Sequence, residues 1–446
     1  MPDQTAPALL QEIAAALALP PGAGARAVFA GDQHLASCFP VTELAAASIA
    51  AAGLALSDLA GLGPVTVDRR LASFWFGFSL RPEGWALPSP WDPIAGDYET
   101  RDGWIKLHTN ARHHRAVALA VLRCGDGRAA VAEAVRQWAG DELEAAVVAA
   151  GGCAARLRSR AEWAAHPQGR AVAAEPLILW DGEGAGTTWR PAGPRPLSGL
   201  RVLDLTRVLA GPVATRFLAG YGAEVLRLDP PGWDEPGVVP EVTAGKRCAR
   251  LDLKTAAGRT VFKRLLAGAD VLIHGYRADA LAALGFGASV RRAIGPGLVD
   301  VSLDAYGHQG PWACRRGFDS LVQFSTGIAA AGMEWRRASK PVSLPVQALD
   351  HATGYLIAAA ALRALRLGGG RARLSLARTA KLLADQAGTP SEDNLTPESA
   401  EDLAPGIEAT AWGPARRLRP PLTVEGAALG FTLPAAALGQ HPPAWG

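Results

Sequence analysis

The chain has little charge, no paired cysteines and no long apolar run, and each absence excludes a class of protein. Charged residues are 20% against 49% hydrophobic, and formal net charge is +3. That excess is too small and too dispersed for a nucleic-acid footprint. Five cysteines (Cys38, Cys124, Cys153, Cys248, Cys314) are widely spread and form no CxxC pair. Neither a disulfide framework nor a metal site is indicated. No stretch of about 18 residues stays apolar without Gly or charge, so no membrane span is expected. The opening MPDQTAPALLQEIAAALALPPGAGAR lacks a basic n-region and carries Glu12 in its apolar stretch. It does not read as a secretory leader, and the expected compartment is the cytoplasm.

What is present is length and alternation. At 446 residues the chain holds two or three domains on a prior of roughly 100 to 200 residues each. From Leu200 onward RVLDL, a helix from Pro212 to Tyr221, and EVLRLD read as strand, helix, strand; DVLIHGY and LVDVSLDAYG continue the pattern as strands. This alternation predicts an α/β domain with a parallel sheet. Ligands of such sheets sit beyond the carboxyl ends of strands, which selects Thr206 to Pro212, Asp229 to Gly232, Gly275 to Arg277 and Leu303 to Gly310. The first loop, TRVLAGPVATR, offers an anion a helix N-terminus or is a plain helix start with Pro in its first turn. It lacks GxGxxG, so no nicotinamide cofactor is expected.

Two other features could carry chemistry. In TAGKRCARLDLKT, Lys246 and Arg247 stand in a basic cluster that, with Arg277, could surround phosphates or could be a solvated surface. In PVSLPVQALDHATGYLIAAAAL, Asp350 opens a small-residue helix, as a reactive carboxylate favoured by the helix dipole or as a simple N-cap. The adjacent His351 reads better as a surface or packing residue than as a base. One internal relation bears on Asp350: FPVTELAAASIAAAGLALSDLAGLGPVTV near residue 40 echoes LPVQALDHATGYLIAAAALRALRLGGGRARL near residue 345, at an ungapped offset of 307. Glu43 then pairs with Asp350, Gly61 with Gly368, Gly63 with Gly370 and Val67 with Leu374. Both copies read as acid, helix, glycine, short strand.

The blocks PLSGLRVLDLTRVLAGPVATRFLAGYGAEVLRLDPPG, AGKRCARLDLKT, ADVLIHGYRADALAALGFG, LVDVSLDAYGHQGPW, RRGFDSLVQFSTGIAAAG and PVQALDHATG occur in this order. Together they resemble the family III CoA-transferases, the CaiB/BaiF family that includes formyl-CoA and carnitine CoA-transferases and alpha-methylacyl-CoA racemase. GDYETRDGWIKLHT and the segment from AVRQWAGDELEAA to HPQGRAV look like that family's small domain, here placed ahead of the large one.

The resemblance implies a Rossmann-like parallel-sheet large domain with a smaller α+β domain, the family III fold. On that basis residues 1–93 form an N-terminal segment with a degenerate acid-helix copy and 94–195 a small-domain-like module. Residues 196–385 form the CoA-binding large domain with Asp350, and 386–446 a linker and return segment. It implies Asp350 as nucleophile, with Glu43 auxiliary or vestigial, since one extra methylene displaces a carboxylate by about 1.5 Å. It assigns phosphate contacts to Lys246, Arg247 and Arg277, the pantetheine channel to Val208, Leu209 and Ala210, and its mouth to Tyr306. Coenzyme A is the acyl carrier, with no metal, and acyl-CoA and carboxylic acids are the partners. Neither nucleic acid nor membrane is expected, and the assembly is a monomeric pseudo-dimer or a homodimer.

Three departures stand out. The family's glycine-rich loop is replaced by GFSLRPEGWALPSPWDPIAGDY, the racemase histidine by Phe318 in Gly317-Phe318-Asp319, and a common Gln by Arg371. The implied activity is CoA transfer, with a non-catalytic CoA-binding homologue or an acyl-CoA racemase as alternatives.

Overall fold

The structure is a computed structural model that describes residues 4–182, 186–193, 195–277, 280–386, 392 and 394–446. Its main sheet has seven strands. In spatial order they are Lys246–Arg250, Glu224–Asp229, Arg201–Leu205, Val271–His274, Val299–Asp304, Gly370–Ser375 and Leu179–Asp181. The first six pair in parallel and the last is antiparallel. Numbered by first appearance, the six parallel strands run 3-2-1-4-5-6, the order of a doubly wound sheet. Val202, Leu203, Val225, Leu226, Val271 and Leu272 are buried, as expected of strands covered on both faces. The helix after the first strand spans Ala210–Gly220, two residues earlier than the sequence suggests. Pro212 still lies in its first turn, where its missing N–H costs no helical bond.

The Ala348–Arg366 helix is buried almost throughout. It packs against both Ala210–Gly220 and the alanine-rich Val41–Ala60 helix. Small residues permit this approach: a Cβ on Gly354 would lie 2.5 Å from the carbonyl oxygen of Ala210. Val41–Ala60 is long and apolar enough to cross a membrane, yet 83% of its apolar window is buried inside the fold, as in a core helix.

The repeat is structural. Each helix ends on a left-handed glycine, Gly61 at φ 66° and Gly368 at φ 90°. Each then leads to a strand whose last residue caps a following helix. Asp68 accepts from the N–H of Leu71 at 2.9 Å, and Ser375 from that of Arg378 at 3.2 Å. Each strand also has one parallel and one antiparallel neighbour. Val65–Asp68 lies between Ala27–Ala30 and Leu422–Val424, whereas Gly370–Ser375 lies between Val299–Asp304 and Leu179–Asp181. The antiparallel neighbours are exchanged: the strand downstream of the first copy completes the second copy's sheet, and the reverse.

Between the copies sits a small module. Its antiparallel strands Gly96–Thr100, Gly103–Leu107 and Ala154–Arg156 pack with short helices over Ile94, Ile105, Val131, Leu143 and Val147.

Candidate active site

Asp350 is 6% exposed and lies where two cavities meet. Val208, Trp233 and Phe318 also line both. The first cavity, about 340 Å³, opens at the carboxyl ends of the strands, with Thr206, Gly275 and Ala305 in its walls. It is basic, lined by Arg207, Arg277, Arg315 and Arg316. Arg207 is held over the rings of Trp233 and Tyr276, 4.5 and 5.0 Å from their centroids. Arg315 is partly neutralised by Glu144 at 3.0 Å. Among the described residues, no carboxylate comes within 4.0 Å of Arg207, Arg277 or Arg316. The second cavity, about 290 Å³, is walled by Trp91, Trp233, Phe78, Phe318 and Pro90. Two of its loops approach closely, since a Cβ on Gly237 would fall 2.5 Å from the backbone of Pro90.

The electrostatics of Asp350 differ from the expectation of a dipole-favoured anion. The first-turn amides of its helix serve a different carboxylate: the N–H groups of Leu349 and Asp350 both donate to Asp319 Oδ2, at 2.9 and 3.0 Å. Gln323 Nε2 donates to the other Asp319 oxygen. Burial, then the neighbouring Asp319 and Glu235, hold the Asp350 carboxyl well above the usual carboxylate range. Asp319 is itself raised to about 6, chiefly by burial. Glu235 fixes the wall between the cavities. Its Oε1 accepts from the N–H of Val208 at 2.8 Å, and its other oxygen pairs with Arg227 at 3.0 Å. Val208 sits at φ 62°, rare for a β-branched residue and a mark of stored strain.

The structure brings Asp350, Val208, Ala210 and Arg277 to the first cavity and Leu209 to the second. It moves four other residues away. Lys246 is fully buried on a strand facing the Ala210–Gly220 helix. Its ammonium donates to Asp204 at 3.0 Å, Thr215 at 2.6 Å and the carbonyl of Pro212 at 2.9 Å, so it neutralises an internal carboxylate and cannot reach a phosphate. Arg247, its neighbour on the alternate face of the strand, lies against the C-terminal Gly446 and lines neither cavity. Tyr306 is 1% exposed, with its hydroxyl 3.1 Å from Ser325 Oγ; Ala305 forms the cavity wall instead. Glu43 lies in the first turn of its own helix and lines neither cavity. His351 is a packing residue, 5.0 Å from Phe76 in a stacked arrangement and held to a pKa of about 3 by burial.

Sequence reasoning missed Asp319, Arg315, Arg316, Trp91, Trp233 and His108. The adjacent Arg315 and Arg316 just ahead of Gly317-Phe318-Asp319 were a visible signal. His108 was not, because only folding of the small module places it face to face with Phe318, 3.7 Å between centroids, where burial lowers its pKa to about 3.

A doubly wound α/β domain with a buried carboxylate between a basic and an apolar cavity, beyond the strand ends, defines the class of protein. Residues 197–400 match the family model described as CoA-transferase family III. An acyl-CoA transferase of Gibberella moniliformis is 30% identical over 289 residues, 58% of this chain and 50% of the relative. A succinyl-CoA:glutarate CoA-transferase of Mus musculus is 34% identical over 235 residues, 50% of this chain and 52% of the relative. A probable fatty acyl-CoA transferase of Mycobacterium tuberculosis is 35% identical over 185 residues, 38% and 46% of the two chains. The chain thus spans about half the length of the curated relatives it matches. Among solved structures, a CaiB/BaiF family protein from Brucella suis matches at 26% identity and a TM-score of 0.37, covering 49% of this chain and 65% of that one.

Proposed function

We propose that this protein moves CoA between an acyl-CoA and a carboxylic acid, with Asp350 as nucleophile. The carrying observation is the position of Asp350, buried at the junction of an arginine-lined cavity and an aromatic one. The residues present suit CoA: Arg277, Arg316 and Arg207 offer guanidinium groups to its phosphates, and the Val208–Ala210 loop offers an apolar wall to pantetheine.

The Asp350 carboxylate attacks the thioester carbonyl, the C–S bond breaks, and a mixed anhydride and CoA thiolate result. The thiolate attacks the aspartyl carbonyl, expelling the donor carboxylate and leaving an aspartyl-CoA thioester. An acceptor carboxylate then attacks that thioester, and the returning thiolate takes the acceptor acyl group and frees Asp350. No net proton is consumed. Both anhydrides are open to hydrolysis, and the close approach of Gly237 to Pro90 limits water access where relatives are expected to use a glycine-rich loop. Asp350 must be ionised to attack, so the arginines of the first cavity have to favour the anion against Asp319 and Glu235.

Because one chain supplies both large-domain and small-module walls of this site, a single chain suffices for activity. Hydroxylamine added during turnover should convert Asp350 to its hydroxamate, read by peptide mass spectrometry. Unmodified Asp350 in an actively exchanging enzyme would sink the assignment. An epimerase reading is less favoured, since His108 at a pKa of about 3 is no base near neutrality. No solvent deuterium should enter the substrate's alpha position.

A further inference from the structure

The two cavities at Asp350 differ in charge, and that difference selects the acyl group. CoA's phosphates need cations, and the four lining guanidinium groups are all in the first cavity. Among the described residues the second cavity has no lysine or arginine in its lining. Its charged side chains are carboxylates: besides Asp350 they are Asp92, Asp234, Glu235 and Asp319. Its only candidate cation is His108, and this ring is stacked flat on Phe318, 3° from parallel, and held neutral by burial. A carboxylate at the far end of an acyl chain would enter this space with no positive partner and several negative neighbours. Burying a charge unpaired is costly enough to forbid it. The walls instead offer indole, phenyl and prolyl surface. Trp91 stands at the rim with 41% of its surface exposed, a large apolar side chain that a ligand would cover.

Resting on the CoA-transfer reading above, we propose that the acids handled at Asp350 are monocarboxylates with an apolar aromatic or branched tail, and that dicarboxylates are rejected. The reacting carboxylate lies at the junction of the cavities, near the arginines, and the tail lies among the tryptophans. The second cavity, at about 290 Å³, is near the lower end of small-molecule sites, which suits a single ring or short branched chain.

The purified full chain, with acetyl-CoA as donor, should be offered 3-phenylpropionate, 4-methylpentanoate, succinate and glutarate. The two monocarboxylates should exceed both dicarboxylates in kcat/KM by at least about 100-fold. Trp91→Arg, which places a cation at the rim, should narrow that ratio at least about tenfold. Succinate or glutarate matching the monocarboxylates in the wild type would overturn the proposal. A separate tryptophan-fluorescence titration with the free acids, in the presence of CoA, reads the cavity without chemistry. Saturable quenching by 3-phenylpropionate and none by glutarate supports the proposal even if no acid is turned over, in which case the transfer reading alone falls. Quenching by glutarate and not by 3-phenylpropionate, or by no acid, refutes it.

Discussion

The two copies of the acid-helix-strand unit share one local plan and meet different surroundings. Glu43 and Asp350 each occupy the first turn of a long, buried, alanine-rich helix that ends on a left-handed glycine and feeds a capped strand-to-helix junction. Around the second copy stand five further parallel strands, the small module and two cavities. Around the first, the sheet has three strands. The lesson is that local sequence makes the helix and aims an acid at its start, while chemistry comes from what the rest of the chain packs over that acid. The return strands are exchanged, so that each copy's sheet is completed by a strand from the chain downstream of the other copy.

The sharpest way to break this comparison is to remove each acid in turn. Asp350→Ala should lower CoA transfer below about 10⁻³ of the wild-type rate, and Glu43→Ala should leave it within about twofold. Equal losses in an exchange assay would mean that the first copy also works.

A second contrast concerns packing of the two helices. Gly354→Ala would drive a methyl against the backbone oxygen of Ala210, whereas Gly53→Ala would meet side chains alone, the tip of Leu422 at 2.9 Å and Val65 at 3.2 Å. The first should cost about 1–3 kcal/mol in denaturant unfolding and impair activity, and the second should cost less.

Ionisation separates the copies next. Because burial and Asp319 raise the Asp350 pKa, the attacking anion becomes more abundant as pH rises, and kcat/KM should climb with pH. Asp319→Asn removes the neighbouring negative charge and should move that limb to lower pH. An unmoved limb would show that Asp319 does not set it. The same shift has a stability consequence. A carboxyl whose pKa is raised by folding takes up a proton more readily in the native state, so the protein loses stability as pH rises through that range. Asp350→Asn should therefore melt no lower than wild type at pH 8.

The smallest effect lies at the paired caps. Asp68→Ala and Ser375→Ala should each cost about 1 kcal/mol of stability. Thermal melts should fall in both, while only Ser375→Ala, next to the cavity residue Leu376, should also alter kcat/KM.

Much of the large domain was legible because its signals are local. β-branched runs alternate with amphipathic stretches, and of the loops picked from strand ends Gly275 to Arg277 lines the basic cavity throughout, Thr206 to Pro212 and Leu303 to Gly310 line it in part, and Asp229 to Gly232 does not. The basic cluster at Lys246 and Arg247 misled for a physical reason. A lysine on a strand flanked by helices is as readily an internal counter-ion as a surface charge, and only the position of Asp204, two strands away in the sheet, decides which. Tyr306 misled similarly, because one residue along a strand end reverses the face presented.

The sequence by itself determined the strands, the two acid-bearing helices, the family resemblance of residues 197–400 and the nucleophile candidate, since each rests on contiguous residues with a definite period or order. Only the tertiary structure decided which arginines reach the site, that Asp319 and Glu235 burden Asp350 with negative neighbours, and that the second cavity carries no lysine or arginine. Those properties depend on groups far apart in the chain that share a small volume, where burial and Coulomb interaction act through distance in space and leave no trace in sequence spacing.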